Sequence, residues 1–196
     1  MPSPLIGNLA QGLVFILSAP AGAGKTTLVS RLTDEFSTVV ASVSYTTRPP
    51  RVGEQEGVHY HFISDAEFLE RQAAGEFLES VELYGYRYGT SNIWMKKRLA
   101  QGQHVFLVID TQGAMFLKDK LDAVYIFVAP PSFDELERRL QERKTESLEM
   151  VTRRLQCAKK EIQTGLKYDY CIINDNLETA YQVLRSIVIA EEHRIR

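Results

Sequence analysis

Lys25 and Thr26 close the stretch Ser18-Ala19-Pro20-Ala21-Gly22-Ala23-Gly24-Lys25-Thr26-Thr27, which follows the apolar run Leu13-Val14-Phe15-Ile16-Leu17. A glycine-bearing loop between a buried strand and a helix can curl its backbone N–H groups around phosphate oxygens, and the helix N-terminus adds partial positive charge. In that setting Lys25 reaches the β- and γ-phosphates of a nucleotide and the Thr26 hydroxyl serves Mg²⁺. The pattern G-x-x-x-x-G-K-[ST] is met except at its first position, where Ala19 stands; Gly22 and Gly24 still permit the turn. A plainer reading is a glycine-rich connection that leaves a lysine on the surface. The strand signal before it and the helical spacing of Leu28 and Leu32 after it favour the phosphate loop.

The stretch Ser42-Val43-Ser44-Tyr45-Thr46-Thr47-Arg48-Pro49-Pro50-Arg51-Val52-Gly53-Glu54 holds two arginines apart with two prolines. Proline fixes φ, so less freedom is lost when the arginines engage a ligand, and the planar guanidinium fork suits a phosphate. Beside this stands the reading of a solvated loop whose arginines pair with Glu54 or Glu56. His59 and His61 alternate on a strand-like stretch and could share a face, but no third metal ligand accompanies them in sequence.

These residues need elements to position them. Strand-like and helix-like segments alternate along the chain, which predicts an α/β fold with a mainly parallel sheet covered by helices. Core strands are expected at 13–17, 104–109, 124–128 and 170–173, and helices starting near Thr26, Ser91, Ser132 and Asn176. Ser132-Phe133-Asp134-Glu135 and Ser64-Asp65-Ala66-Glu67 have capping-box spacing, and Gly102 is placed to stop the helix that holds Trp94 and Leu99. Two segments break the rhythm. Residues 42–91, rich in Tyr, Gly, Arg and Glu, read as an insertion that binds something polar, with short strands and one short helix. Residues 139–154 read as a charged helical segment that moves. Residues 11–41, 92–138 and 155–196 form the core of one domain spanning 1–196.

With 196 residues the chain suits one α/β domain carrying inserted subdomains. A net charge of −2 gives no general attraction to nucleic acid or anionic membrane, so anion binding must come from local Arg and Lys. No apolar stretch is long enough to span a bilayer, and no signal-like segment opens the chain. Cys157 and Cys171 have no C-x-x-C spacing, which argues against a zinc site or disulfide framework and fits a reducing cytoplasm.

The chain resembles guanylate kinase over nearly its whole length. The resemblance rests on the phosphate loop and Ser42–Glu54, together with Tyr60, Phe77-Leu78-Glu79, Tyr88-Gly89-Thr90, Ile109-Asp110-Thr111-Gln112-Gly113, Pro130-Pro131-Ser132 and Ile173-Asn174-Asp175. Each is weak alone; their joint order is specific. The resemblance implies a P-loop NTPase-type sheet, a GMP-binding insertion over 42–91 and a lid over 139–154. It also implies transfer of the γ-phosphoryl of Mg-ATP to GMP, with dGMP as a second acceptor, by a monomer or homodimer in purine nucleotide metabolism.

By the same resemblance, Arg48 and Arg51, helped by Tyr60 and Tyr88, hold the GMP phosphate, and Ser44, Glu79 and Thr90 face the guanine. A carboxylate at Glu79 can accept from both N1–H and N2–H₂ of guanine, while adenine would leave it unpaired. Asp110, at a strand end, is a GMP-side residue and orients Mg²⁺ directly or through water. Arg139, Arg143 and Arg154 match the lid arginines and would neutralise the transferring phosphoryl; salt bridges to Glu135 and Glu142 are the plainer reading. Asn174 and Asp175 would lie near the adenine, or simply form a strand end and helix cap. Two departures are visible: Val108 stands where the family has Asp, and Lys144 where it has Gly. The rival functions are a non-catalytic scaffold domain of this fold and a P-loop kinase for another phosphorylated acceptor. The intact Gly24-Lys25-Thr26, Arg48 and Arg51 argue against the first, and Ser44, Glu79 and Thr90 against the second.

Overall fold

Strand β1 (Val14–Ser18) is buried along its full length, as a continuous apolar run covered on both faces must be. The computed structural model describes residues 5–142 and 148–195. After β1 the chain turns through residues 19–24 into helix α1 (Lys25–Glu35), whose Leu28, Val29 and Leu32 face the core. The remaining elements are β2 (Val39–Ala41), β3 (Tyr45–Thr46), β4 (His61–Phe62), α2 (Asp65–Ala73), β5 (Phe77–Leu83), β6 (Tyr86–Ser91), α3 (Asn92–Ala100), β7 (His104–Val108), α4 (Thr111–Leu117), β8 (Val124–Ala129), α5 (Phe133–Glu142), α6 (Leu148–Gly165), β9 (Tyr170–Ile173) and α7 (Leu177–Glu192).

Among the described residues these strands form two sheets. The first has five strands in the order β2-β7-β1-β8-β9, all parallel, with Phe15 opposite Phe106 and Ile16 opposite Tyr125. Its two faces carry separate apolar clusters. Phe15, Leu17, Leu28, Ile126 and Leu184 lie on the face covered by α1 and α7; Ile16, Met95, Leu107 and Leu117 lie on the face covered by α3 and α4. Each fully buried side chain of this size contributes roughly 1.5–3 kcal/mol. The second sheet, β4-β3-β6-β5, is mixed and built from residues 45–91. This is the P-loop NTPase-type architecture that the alternating pattern and the resemblance predict.

The expected strands and helix starts all occur, shifted by one residue at most. Ser91 and Asn176 cap α3 and α7, accepting from the N–H groups of Trp94 and Thr179. Ser64 and Ser132 accept from Glu67 and Glu135. Gly102 sits at φ 76° just beyond α3. The sequence does not announce β2 and α4, which are short, nor the continuation of α6 from residue 155 to Gly165. Of the charged segment 139–154, residues 139–142 end α5 and 148–154 begin α6; Lys144 lies outside the described residues.

His104 occupies the interior of β7. Its Nδ1 accepts from the Leu13 N–H, so Nε2 carries the proton and donates to Glu192. Glu192 also accepts from the backbone N–H groups of Gly7 and Asn8, stitching the N-terminal segment and α7 to the sheet. Burial pushes the Glu192 carboxyl upward, but these donors outweigh it and hold the group below its usual value. Removing Glu192 strands the buried His104 Nε2–H and the partly buried Gly7 N–H. Glu192→Ala is expected to lower stability by about 3 kcal/mol, read as a shift in the urea unfolding midpoint.

Candidate active site

At the C-terminal end of the parallel sheet a cleft of about 670 Å³ runs between the loop after β1, the mixed sheet, the β7–α4 junction and α6. Ligands of open α/β sheets bind at this end. Gly22 and Gly24 have φ of 90° and 94°, which an L side chain rarely adopts, so the loop turns as the two glycines predict despite Ala19. Ala19 is buried and its carbonyl, with that of Pro20, accepts from Lys25 Nζ. The ammonium is thus folded over the loop. Thr26 and Thr27 are exposed at the start of α1.

Asn174 is only 5% exposed. Its N–H donates to the Ala129 carbonyl and its Nδ2 to the Ala23 carbonyl at 2.8 Å. A Cβ at Gly24 would come within 2.4 Å of that Nδ2. Asn174 is therefore the support on which the phosphate loop rests, a task its expected place near an adenine did not include. Asp175, next to it, is exposed.

On the opposite wall, Ser44, Arg48, Arg51, Tyr60, Glu79 and Tyr88 line the cleft together. Arg48 is 8% exposed and donates from Nη2 to both oxygens of Glu54 at 2.9 Å and from Nη1 to the Pro49 carbonyl. Glu54 accepts from the Arg51 N–H as well. The Glu54 pairing and the cleft-lining position, which stood as alternatives in the sequence, coexist: Glu54 shapes the turn and aims Arg48. The sequence counted Glu54 only as a competitor for the arginines. The rings of Tyr60 and Tyr88 meet edge-on at 5.9 Å, and the Arg48 guanidinium lies 5.4 Å from the Tyr60 ring centre.

Glu79 is 4% exposed. Thr90, fully buried behind it, donates its hydroxyl to Glu79 Oε1 at 2.7 Å, while Oε2 is buried with no protein hydrogen-bond partner among the described residues. Burial pushes this carboxyl up to about 7, against the Thr90 bond, and the nearby Asp110 charge adds to the rise. Thr90 thus reaches the cleft through Glu79 rather than facing it directly.

Asp110 caps α4, its Oδ1 accepting from the N–H groups of Gln112 and Gly113 at 2.6 and 3.2 Å. Burial raises its pKa, opposed by those two bonds and by the Lys25 charge. Val108, Thr111 and Gln112 line the same wall. Helix α6 adds Arg154, Cys157, Lys160, Glu161 and Thr164, spaced so that one helical face meets the cleft, and Tyr84 from the β5–β6 turn sits 5.9 Å from the Arg154 guanidinium. Helical spacing could have pointed to Glu161 and Lys160; nothing in the sequence marked Tyr84. Arg139 lies outside this lining. Its Nε donates to Glu135 at 2.7 Å and its Nη2 to the Asn174 carbonyl at 3.1 Å, while Glu142 pairs with Arg138. Arg143 lies outside the described residues. His59 Nδ1 accepts from the Gln55 N–H, and His61 pairs with Glu56.

Among the described residues no helix is long and apolar enough to cross a membrane. A family model described as guanylate kinase matches residues 11–191. The chain is 57% identical to a guanylate kinase of Protochlamydia amoebophila (strain UWE25) over 96% of each chain. It is 49% identical to one of Chlamydia felis (strain Fe/C-56), over 92% of this chain and 89% of that one. A crystal structure of guanylate kinase from Anaplasma phagocytophilum superimposes with a TM-score of 0.79 at 33% identity, covering 94% of this chain and 88% of the other. With a phosphate loop on one wall of the cleft and a buried, half-satisfied carboxylate on the other, and with relatives this similar over nearly its full length, the chain belongs to the guanylate kinase family.

Proposed function

We propose that the two walls of the cleft divide the substrates of the guanylate kinase reaction, ATP + GMP = ADP + GDP, which this enzyme catalyses as a member of the family. ATP takes the phosphate loop, residues 19–27, and GMP takes the wall of Ser44, Arg48, Arg51, Tyr60, Glu79 and Tyr88. The observation that carries the assignment is Glu79: one oxygen is fixed by Thr90 and the other is buried and bare. A base with two adjacent N–H donors satisfies it, and guanine has that edge. Adenine would leave the acceptor desolvated and unpaired, a loss that sites of this kind turn into strong discrimination. The assigned contacts go to base and phosphate and none to the ribose 2′-hydroxyl, so dGMP is the second acceptor.

Lys25 exchanges the Ala19 and Pro20 carbonyls for the β- and γ-phosphates. Asn174 holds the loop in place, and Asp175 borders the adenine. Arg48 and Arg51, aimed by Glu54, hold the acceptor phosphate in line with the donor. That phosphate is already ionised near neutrality, so no side chain need remove a proton, and catalysis is positioning and charge neutralisation. Residues 42–91 act as the GMP-binding unit. Residues 139–154 act as a lid whose Arg139, Arg143 and Arg154 face the transferring group on closure, excluding the water that would otherwise take the phosphoryl.

Asp110 and Thr26 are hard oxygen donors of the kind Mg²⁺ selects, and Mg²⁺ keeps several waters, so one carboxylate and one hydroxyl would be enough to hold it. When bound there, Mg²⁺ neutralises charge on the β- and γ-oxygens. Both substrate walls belong to one chain, so a monomer suffices and a homodimer is compatible. Cys157 and Cys171 are free, which suits the cytoplasm.

The direct experiment is ADP formation from Mg-ATP with GMP, AMP, CMP or UMP as acceptor. Strong turnover with GMP alone is expected; equal turnover with AMP would sink the Glu79 assignment. Lys25→Ala is expected to lower kcat by about 10²–10³-fold while leaving the unfolding midpoint in place. The pH profile gives a third check. Glu79 must be ionised to accept, so with its pKa at about 7 GMP binding is lost as pH falls through that value. The ratio kcat/KM for GMP should fall about ten-fold per pH unit below 7. Glu79→Gln should lack this break and keep only the ionisation of the GMP phosphate near about pH 6.

A further inference from the structure

Gly113 lies buried in the first turn of α4, directly beside the Glu79 carboxylate. A Cβ at this position would stand 2.7 Å from Glu79 Oε2 and 3.2 Å from its Cδ, whereas the next neighbour, Ile109 Cδ1, would be at an ordinary 3.6 Å. The overlap is with one side chain and with one particular oxygen of it. That oxygen is buried with no hydrogen-bond partner among the described residues, and Thr90 secures the other. The backbone gives no reason for glycine here. Gly113 is absent from the positive-φ positions, its N–H makes an ordinary capping bond to Asp110, and inside a helix glycine is less favourable than alanine. What the missing Cβ provides is room.

We propose that Gly113 is a specificity-determining positioning residue: its lack of a side chain lets the Glu79 carboxylate seat with Oε2 open to the N1–H and N2–H₂ donors of guanine. The inference rests on the reading of Glu79 as the guanine acceptor. A methyl group at 113 pushes the buried Glu79 carboxylate aside and strains its bond to Thr90, but alanine suits the helix better than glycine, so on balance the methyl costs the fold little. It costs base recognition much, because two hydrogen bonds to a charged acceptor depend on where that oxygen lies. The phosphate loop makes no use of Gly113, so ATP binding is untouched.

The test is a double-mutant cycle of Gly113→Ala and Glu79→Ala, with KM for GMP and for ATP measured separately and the urea unfolding midpoint recorded for each variant. Gly113→Ala is expected to raise KM for GMP by about 10–100-fold, with KM for ATP within two-fold and no fall in the midpoint. In the Glu79→Ala background the same substitution should add no further rise in KM for GMP, since there is no carboxylate left to displace. Full additivity of the two changes overturns the proposal, as does an equal rise in KM for both nucleotides or a loss of stability that accounts for the effect. A Glu79→Ala variant with unchanged KM for GMP overturns the guanine assignment and the role of Gly113 together. A raised KM in Glu79→Ala beside an unchanged one in Gly113→Ala overturns the role of Gly113 alone.

Discussion

The triphosphate of ATP and the phosphate of GMP repel each other, and a cleft that joins them must hold fixed cations where their charges meet. The protein carries no excess of positive charge with which to do so; its net charge is −2. The cations are therefore placed individually and held by groups that determine their direction. Lys25 is folded over the loop by two carbonyls, and Arg48 is gripped by both oxygens of Glu54. On the proposed reading phosphate oxygens replace the two neutral carbonyls on Lys25, whereas Glu54 keeps its grip and aims Arg48. The structural cost of a buried arginine is offset by the Glu54 pair before the substrate arrives. The core strands matter to this arrangement because β1 and β9, through the loop and Asn174, fix the point from which Lys25 reaches out.

The other wall solves a different problem, how to recognise a base in a site built for phosphates. An ionised carboxylate beside two anions is electrostatically unwelcome. Burial and the proximity of Asp110 push the Glu79 carboxyl up to about 7, close enough to neutrality that the ionised form remains accessible when guanine supplies two donors. Val108 bears on the same balance. It lines the cleft where the resemblance implies an Asp, so on the proposed reading an apolar side chain stands near the carboxylate that must ionise. Asp110, Thr111 and Gln112, which follow Val108 closely in sequence, face the cleft with it.

Much of this was legible before any coordinates. The apolar runs around Phe15, Phe106, Ile126 and Ile172 have one meaning in an α/β chain, and the caps at Ser91, Ser132 and Asn176 mark helix starts through a local bond that sequence spacing reveals. The loop glycines were readable because positive φ is a local demand. What escaped was non-local. No pattern says that Asn174 supports Ala23 across the sheet, or that Glu54 aims Arg48 rather than neutralising it. Nor does any local pattern place Thr90 behind Glu79. Short elements were lost for a related reason: three residues of β2 and seven of α4 are too few for periodicity to register. Gly113 was visible as part of a motif, but its reason lies in a carboxylate thirty-odd residues away in the chain.

Arg139 shows how the resting arrangement bears on closure. It is held by Glu135, one helical turn back, and by the Asn174 carbonyl, and it stays outside the cleft lining. Both partners are replaceable. The Glu135 pair is an i,i+4 contact within one helix, its side chains 22% and 24% exposed, and such pairs contribute only modestly to stability. The carbonyl is a neutral acceptor, weaker than a phosphoryl oxygen in its hold on a guanidinium. On the proposed reading, turning Arg139 toward the transferring phosphoryl exchanges two modest contacts for a charge-assisted one. Because one of the contacts given up is to Asn174, the same residue whose side chain supports the phosphate loop, movement of α5 and the seating of the nucleotide share a common atom group.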